Sequence, residues 1–145
     1  MDIIRRNTDY ALRAAVELAD RFGREPVATK QIADRRKIPY QLACKLLQRL
    51  HNAGIVKSTM GPAGGFTLGR NPSRITVRQV VEAVQGPVRF SRCLVSKSFC
   101  GLSRCCPVNP ELGRLQNKIN TFLDGLSLRQ LSGAQNKNNR KRSRK

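Results

Sequence analysis

Residues 29–68 run TKQIADRRKIPYQLACKLLQRLHNAGIVKSTMGPAGGFTL, and their reading decides the fold. Thr29–Arg36 predicts a short helix whose apolar side is Ile32 and Ala33. A break near Lys37 and Ile38 leads into a longer helix. Pro39 suits its first turn, and Leu42, Leu46, Leu47 and Leu50 form its buried stripe. Gly54 ends it, because the residue closing a helix often needs a positive φ that glycine adopts freely. Residues 55–59 (IVKST) and 66–68 (FTL) have strand composition, and the turn-rich 60–65 (MGPAGG) joins them as a hairpin. Two helices across a tight turn, followed by a two-stranded hairpin, make a winged helix-turn-helix.

Working outward, Thr8 caps a first helix carrying Leu12, Ala15, Val16 and Ala19 at helical spacing, and residues 23–28 (GREPVA) read as a loop. Thr76 begins a fourth helix with Val77, Val80, Val81 and Val84 on its apolar side, and Gly86-Pro87 ends it. Residues 88–108 show no clear period. Asn109, Pro110 and Glu111 read as N-cap, N1 and N2 of a fifth helix. Its apolar residues Leu112, Leu115, Ile119, Phe122 and Leu126 recur at alternating spacings of 3 and 4, an a/d seam suited to pairing with another helix. Ser127 caps a last turn through Leu131. Residues 133–145 carry six Lys or Arg and no apolar period, and read as a disordered basic tail. The expected fold is mainly α with a small β-hairpin wing: a winged helix-turn-helix over 1–86, a cysteine-rich loop over 87–108, a long C-terminal helix over 109–131 and a tail over 132–145.

The chain has 145 residues with 28 Lys+Arg against 9 Asp+Glu, a net charge of +19. That length suits one domain with an appended element, and 39% hydrophobic residues suffice for a core. A charge this large selects polyanionic partners. Met1–Arg6 is followed by no apolar run, so it is no secretory signal, and no stretch approaches the roughly 20 apolar residues that span a bilayer. A soluble, cytoplasmic protein without a membrane partner is expected. The glycine run lacks a following Gly-Lys-Ser/Thr and opens no helix, which excludes a nucleotide-binding P-loop.

An exposed helix face fits the major groove of duplex DNA. Away from its leucine stripe the third helix carries Gln41, Cys44, Lys45, Arg49 and, at its edge, His51. Gln41 can pair with adenine, and Lys45 can donate to guanine or a phosphate. Lys57, Ser58, Met60 and Gly64 belong to a wing whose tip can approach the backbone or minor groove. The bland alternative is a solvated basic face. His51 reads as a surface or phosphate-contacting residue.

Five cysteines stand at 44, 93, 100, 105 and 106. An odd number in a reducing compartment argues against a disulfide framework, and the four clustered thiols suit zinc or an iron–sulfur centre. The spacing Cys93-x6-Cys100-x4-Cys105-Cys106 lacks the paired knuckles usual for structural zinc. Arg89, Arg92, Lys97 and Arg104 interleave them, and nearby cations favour thiolate. Metal-free redox sensing and inert packing are the alternatives. Cys44 sits apart and reads as a non-ligand. No C-x-x-C, catalytic His or carboxylate pair accompanies the thiols, so an enzyme is not expected.

Taken together, residues 7–13 (NTDYALR), 31–33 (QIA), 46–56 (LLQRLHNAGIV), 61–68 (GPAGGFTL) and the cysteine loop before a long helix resemble the Rrf-two-type (BadM-like) winged helix-turn-helix transcriptional regulators, over about residues 1–131. The resemblance implies a homodimer on double-stranded DNA, with the long helices as the dimerisation element. It also implies an iron–sulfur cluster, 2Fe–2S or 4Fe–4S, held by three cysteines. Cys93 and Cys100 match the first two; Cys106 matches the third, with Cys105 the competing choice. Some members add a His where Asn109 stands here. Others use an Asp of the partner chain's first helix, and Asp9 holds that position. Asp9 reads equally as a first-turn acid favoured by the helix dipole. Many members carry Arg before the wing's Gly-Pro, where this chain has Met60. The implied function is a sequence-specific repressor or activator whose cluster senses iron, redox state or nitric oxide. The rival is a basic RNA- or ribosome-associated protein with structural zinc or metal-free thiols.

Overall fold

The computed structural model of the chain describes residues 2–133. The tail reading falls almost entirely on 134–145, outside the described residues. Among the described residues the elements follow in the order α1 (Arg6–Asp20), α2 (Thr29–Arg36), α3 (Tyr40–Asn52), β1 (Val56–Thr59), β2 (Gly65–Leu68), α4 (Val77–Gln85) and α5 (Val108–Gly125), and a further helical segment runs over 128–133. Short 3-10 turns lie over Pro72–Arg74, Arg92–Leu94 and Lys97–Phe99.

Helix α1 is the hub. Its buried Ala11, Ala14, Ala15 and Ala19 present little bulk, so α2, α3 and α4 all close upon it. Ile32, Leu46, Leu47, Leu50, Ile55, Ile75 and Val80 fill the space between them and are essentially unexposed. A charged tie holds α2 in place. Glu17 of α1 is buried and accepts from Arg21, Arg35 and Arg36, at 3.2, 3.0 and 2.7 Å, while Arg36 also reaches Asp20 at 2.7 Å. Burial pushes the Glu17 carboxyl up, but the hydrogen bonds and charges of Arg35 and Arg36 outweigh it and hold the group below its ordinary value.

The turn between α2 and α3 depends on Lys37, which caps α2 in the left-handed region at φ 54°. The Ile38 amide donates back to the Ala33 carbonyl at 2.9 Å. Helix α3 ends in a Schellman motif: the Ile55 amide reaches the Leu50 carbonyl at 3.0 Å and the Gly54 amide reaches His51 at 2.9 Å. Gly54 supplies the positive φ of 71°. The hairpin is antiparallel, pairing Val56 with Leu68 and Thr59 with Gly65. Val27, expected to lie in a plain loop, adds a bridge to Phe66 with amide–carbonyl bonds of 3.0 and 2.9 Å. Thr76 caps α4 through a full capping box with Gln79.

Three helix starts differ from the sequence reading: Pro39 lies just outside α3 as its N-cap, and the starts of α1 and α5 also shift. Helix α1 begins at Arg6, and Thr8 is a buried residue inside it. Its hydroxyl donates to Gln85 Oε1 at 2.7 Å, so it joins α1 to the end of α4 and caps nothing. Helix α5 begins at Val108, which puts Pro110 at the third helical position, where a missing amide is still harmless.

The stretch 109–131 has two parts. Helix α5 stops at Gly125, and the chain then returns to the first core. Val77 and Leu128 amides donate to the Leu126 and Ile75 carbonyls at 2.8 and 2.9 Å, and Leu128 is fully buried. Ser127 shares a capping box with Gln130, as expected of it, and Ser132 donates to Asp20.

Candidate nucleic-acid interface and thiol loop

Because Ala43, Leu46, Leu47 and Leu50 turn inward, the opposite face of α3 is presented to solvent. Gln41, Lys45, Gln48 and Asn52 stand exposed there in one stripe, and Gln48 donates to Asn52 at 3.0 Å. Arg49, expected on this face, sends Nη1 to the Val84 carbonyl at 2.7 Å and so ties α3 to the last turn of α4. It lines, with Asn52, Ala53, Ala83 and Val84, a shallow hollow of about 410 Å³. His51 Nδ1 lies 3.3 Å from the Val56 carbonyl and fastens α3 to β1 when that nitrogen carries the proton.

Tyr40 opens α3 and is 52% exposed. A hydrogen bond with Cys44 one turn on, and the negative charge of its thiolate form, hold the phenol above its ordinary value. Reading only the polar residues of the helix passes over it; its place beside Pro39 at the helix start was the available signal.

On the wing, Lys57 and Ser58 are exposed on β1 opposite Thr67 and Phe66. Met60 stands 92% exposed at the tip. Gly64 is half-buried; a Cβ there would overlap the Thr59 carbonyl oxygen, so only glycine closes this turn.

The thiol loop runs over 87–107. It is moored by Gln116 of α5, a buried side chain that accepts from the Phe90 amide at 2.7 Å and donates to the Val88 carbonyl at 2.9 Å. Asn109 donates weakly to the Cys93 carbonyl at 3.5 Å, and Ser91 Oγ lies 3.1 Å from Cys93 Sγ. No sequence pattern marks either anchor, since both join positions far apart in the chain. All five cysteines are free thiols; Cys105 is exposed and the others are half-buried. Four thiols from one loop are the donor chemistry an iron–sulfur centre takes. They do not converge in this conformation: among the described residues no three His, Cys, Asp or Glu side chains gather to hold a metal ion. Asp9 pairs with Arg13 on the same helix at 2.7 Å, both side chains about half exposed.

The seam of α5 divides. Ile119 and Leu126, with Leu123, pack inward on Val77, Val81 and Val88 of their own chain, and Leu112 on the same row is half-buried. Leu115 and Phe122 point out, 39% and 68% exposed, and Val108, one heptad earlier, is 55% exposed. A spacing of 3 and 4 places both rows on one broad side but cannot say which row the chain covers itself.

This architecture is that of a winged helix-turn-helix regulator with a helical arm, and comparisons with known proteins agree. Residues 4–134 match the family described as Iron-dependent Transcriptional regulator, Rrf2, and the chain belongs to that family. The transcriptional regulator IscR of Aliivibrio salmonicida is 35% identical over 123 residues, spanning 84% of this chain and 72% of the relative. The repressor NsrR of Streptomyces coelicolor is 33% identical over 128 residues, spanning 88% and 86%. Among solved structures, CymR, the global cysteine regulator of B. subtilis, superposes with a TM-score of 0.79 at 29% identity, covering 92% of this chain and 98% of that one. T. potens IscR follows at 0.68 and 26%, covering 90% and 87%. The protein is therefore a transcriptional regulator of a DNA-binding family and not an enzyme. Among the described residues no helix is long and apolar enough to cross a membrane.

Proposed function

We propose that the chain acts as a homodimer on double-stranded DNA and that an iron–sulfur cluster held by its thiol loop controls that binding. One observation carries the proposal: a loop with four free thiols is fastened at Gln116 and Asn109 to the helix that bears an uncovered apolar row. Val108, Leu115 and Phe122 form that row, and a second copy of α5 is its natural cover. Gln41 and Lys45 read base edges from the major groove, while Lys57, Ser58 and the Gly64 turn meet the backbone. Arg49 braces α3 through Val84.

Cys93, Cys100 and Cys106 are the proposed ligands, with Cys105 the alternative third and the partner's first helix offering Asp9 as a fourth. A bound cluster would supply a redox-active iron centre, 2Fe–2S or 4Fe–4S, sensitive to iron, redox state or nitric oxide. Holding three thiols together orders the loop and biases α5, and it changes DNA affinity only by its differential affinity for the two arrangements.

Purification without oxygen tests this. A coloured protein with matching iron and sulfide is expected, lost in Cys93→Ala, Cys100→Ala and Cys106→Ala and kept in Cys44→Ala. A full cluster in Cys106→Ala moves the third ligand to Cys105. Equal operator affinity with and without the cluster rejects the sensing role. A second reading, thiols that sense without metal, is favoured by their separation in this conformation; structural zinc would need them gathered as a cluster does. Colourless protein free of iron supports it.

A further inference from the structure

We infer that Met60 is an apolar wedge with which the wing enters the minor groove of DNA and reads how easily a base step opens. The inference rests on the DNA interface proposed above and adds a specificity residue to it. Met60 is the most exposed of the large hydrophobic residues described, at 92% against 68% for Phe122. A single exposed apolar side chain is ordinary; what sets Met60 apart is the built scaffold that presents it. Thr59 ends β1 in register with Gly65, and the Gly64 amide closes the tip on the Gly61 carbonyl at 3.0 Å. Neither Gly64 nor Gly65 has room for a Cβ: the first abuts the Thr59 carbonyl, the second the Val27 backbone. The Val27–Phe66 bridge pins the hairpin to the helical core. Met60 therefore projects from a fixed point.

The chemistry of the tip narrows the occupant. Met60, Gly61, Pro62 and Ala63 carry no charge and no side-chain donor, and all are exposed. Such a tip cannot hold a phosphate through its side chains. Three residues back along the same strand stands Lys57, exposed and cationic, on a chain of net charge +19. An apolar point with a cation behind it matches a minor groove, whose floor of sugars and base edges lies between phosphate walls. The groove is only about 6 Å wide, and an unbranched thioether is slim and pliant enough to enter it. Apolar side chains wedged there unstack a step, most easily at TA and CA/TG. The wing would thus select flexible steps where an arginine would select by charge and groove width.

The test uses the full chain and a duplex that the protein itself selects from a random pool. Affinity is measured across salt concentrations, with 2-aminopurine placed at the step facing the wing. Met60→Ala is expected to weaken binding about tenfold with no change in log–log salt slope, because no phosphate contact is lost, and to abolish the fluorescence rise of unstacking. Met60→Arg is expected to steepen the slope by about 0.9, the value for one added phosphate contact. Met60 is exposed, so both variants should fold, which circular dichroism checks. Unchanged affinity and step preference in Met60→Ala overturns the wedge and leaves the methionine to a protein partner. Gln41→Ala with Lys45→Ala separates the two readings. If that pair binds normally while Met60→Ala does not, the helix assignment falls and the wedge stands; the reverse result removes the wedge alone.

Discussion

The winged domain and the thiol loop are held by different physics. In the first, α1 to α4, the hairpin and the returning Leu128 enclose a continuous apolar core, and every buried side-chain nitrogen or oxygen described has a partner. In the second, residues 91–107 contain two 3-10 turns and no buried side chain among those described, and Val95, Phe99 and Leu102 are exposed. The domain, with Leu128 in place, is specified by its own core; the loop is specified at its edges, by Gln116 and Asn109, and its interior waits for something to gather it. A segment in that condition can respond to a ligand, because little core has to be broken when it rearranges.

The sharpest way to break this contrast is to cut the same kind of side chain from each region. Leu47→Ala should cost about 2–5 kcal/mol in denaturant unfolding. Phe99→Ala should stay within about 0.5 kcal/mol. Equal losses would mean that the loop has a core of its own. Next in size is Glu17→Gln, expected to cost about 2–3 kcal/mol at pH 7. That is less than a fully buried pair loses, since Arg21 and Arg35 are 36% and 40% exposed. Because the folded carboxyl is held below its ordinary value of 4.5, its contribution is complete above that pH. It fades as the pH falls through the lower folded value, so native and variant proteins should converge in acid melts.

Gln116→Ala should cost about 1–2 kcal/mol by leaving the Phe90 amide and Val88 carbonyl without their partner. Amide exchange at Phe90 should quicken while Leu50 keeps its protection; quickening at both would show that the loop and the domain open together. The smallest effect expected is a gain. Lys37→Gly relieves a left-handed non-glycine residue and should stabilise by up to about 1 kcal/mol, raising the melting temperature by a few degrees.

The winged helix was legible because it is local. Leucines at helical spacing, a glycine at a helix end and two strand-like runs across a glycine-rich turn each act within a dozen residues. What could not be read joins distant positions. Thr8 stands where a cap is expected, yet its hydroxyl serves Gln85, 77 residues on. Arg49 lies among the exposed polar residues of α3 and turns to Val84, 35 residues away. Val27 sits in a run that reads as loop and completes the hairpin. Of the candidate sites, Gln41, Lys45 and Met60 are exposed as their positions on helix and tip suggested, whereas the cysteine spacing conveys the kind of donor and nothing of its separation in space. The heptad rows of α5 were visible, but which of them faces the chain's own valines was not.

The return of residues 126–133 to the core bears on how the protein is made. Leu128 fills a site bounded by residues translated far earlier, and Ser132 meets Asp20. During synthesis the amino-terminal helices must wait, with a hole among them, until Leu128 has left the ribosome. A fragment cut after residue 86 would keep that hole permanently, so the reading head cannot be transplanted without the strap that closes it.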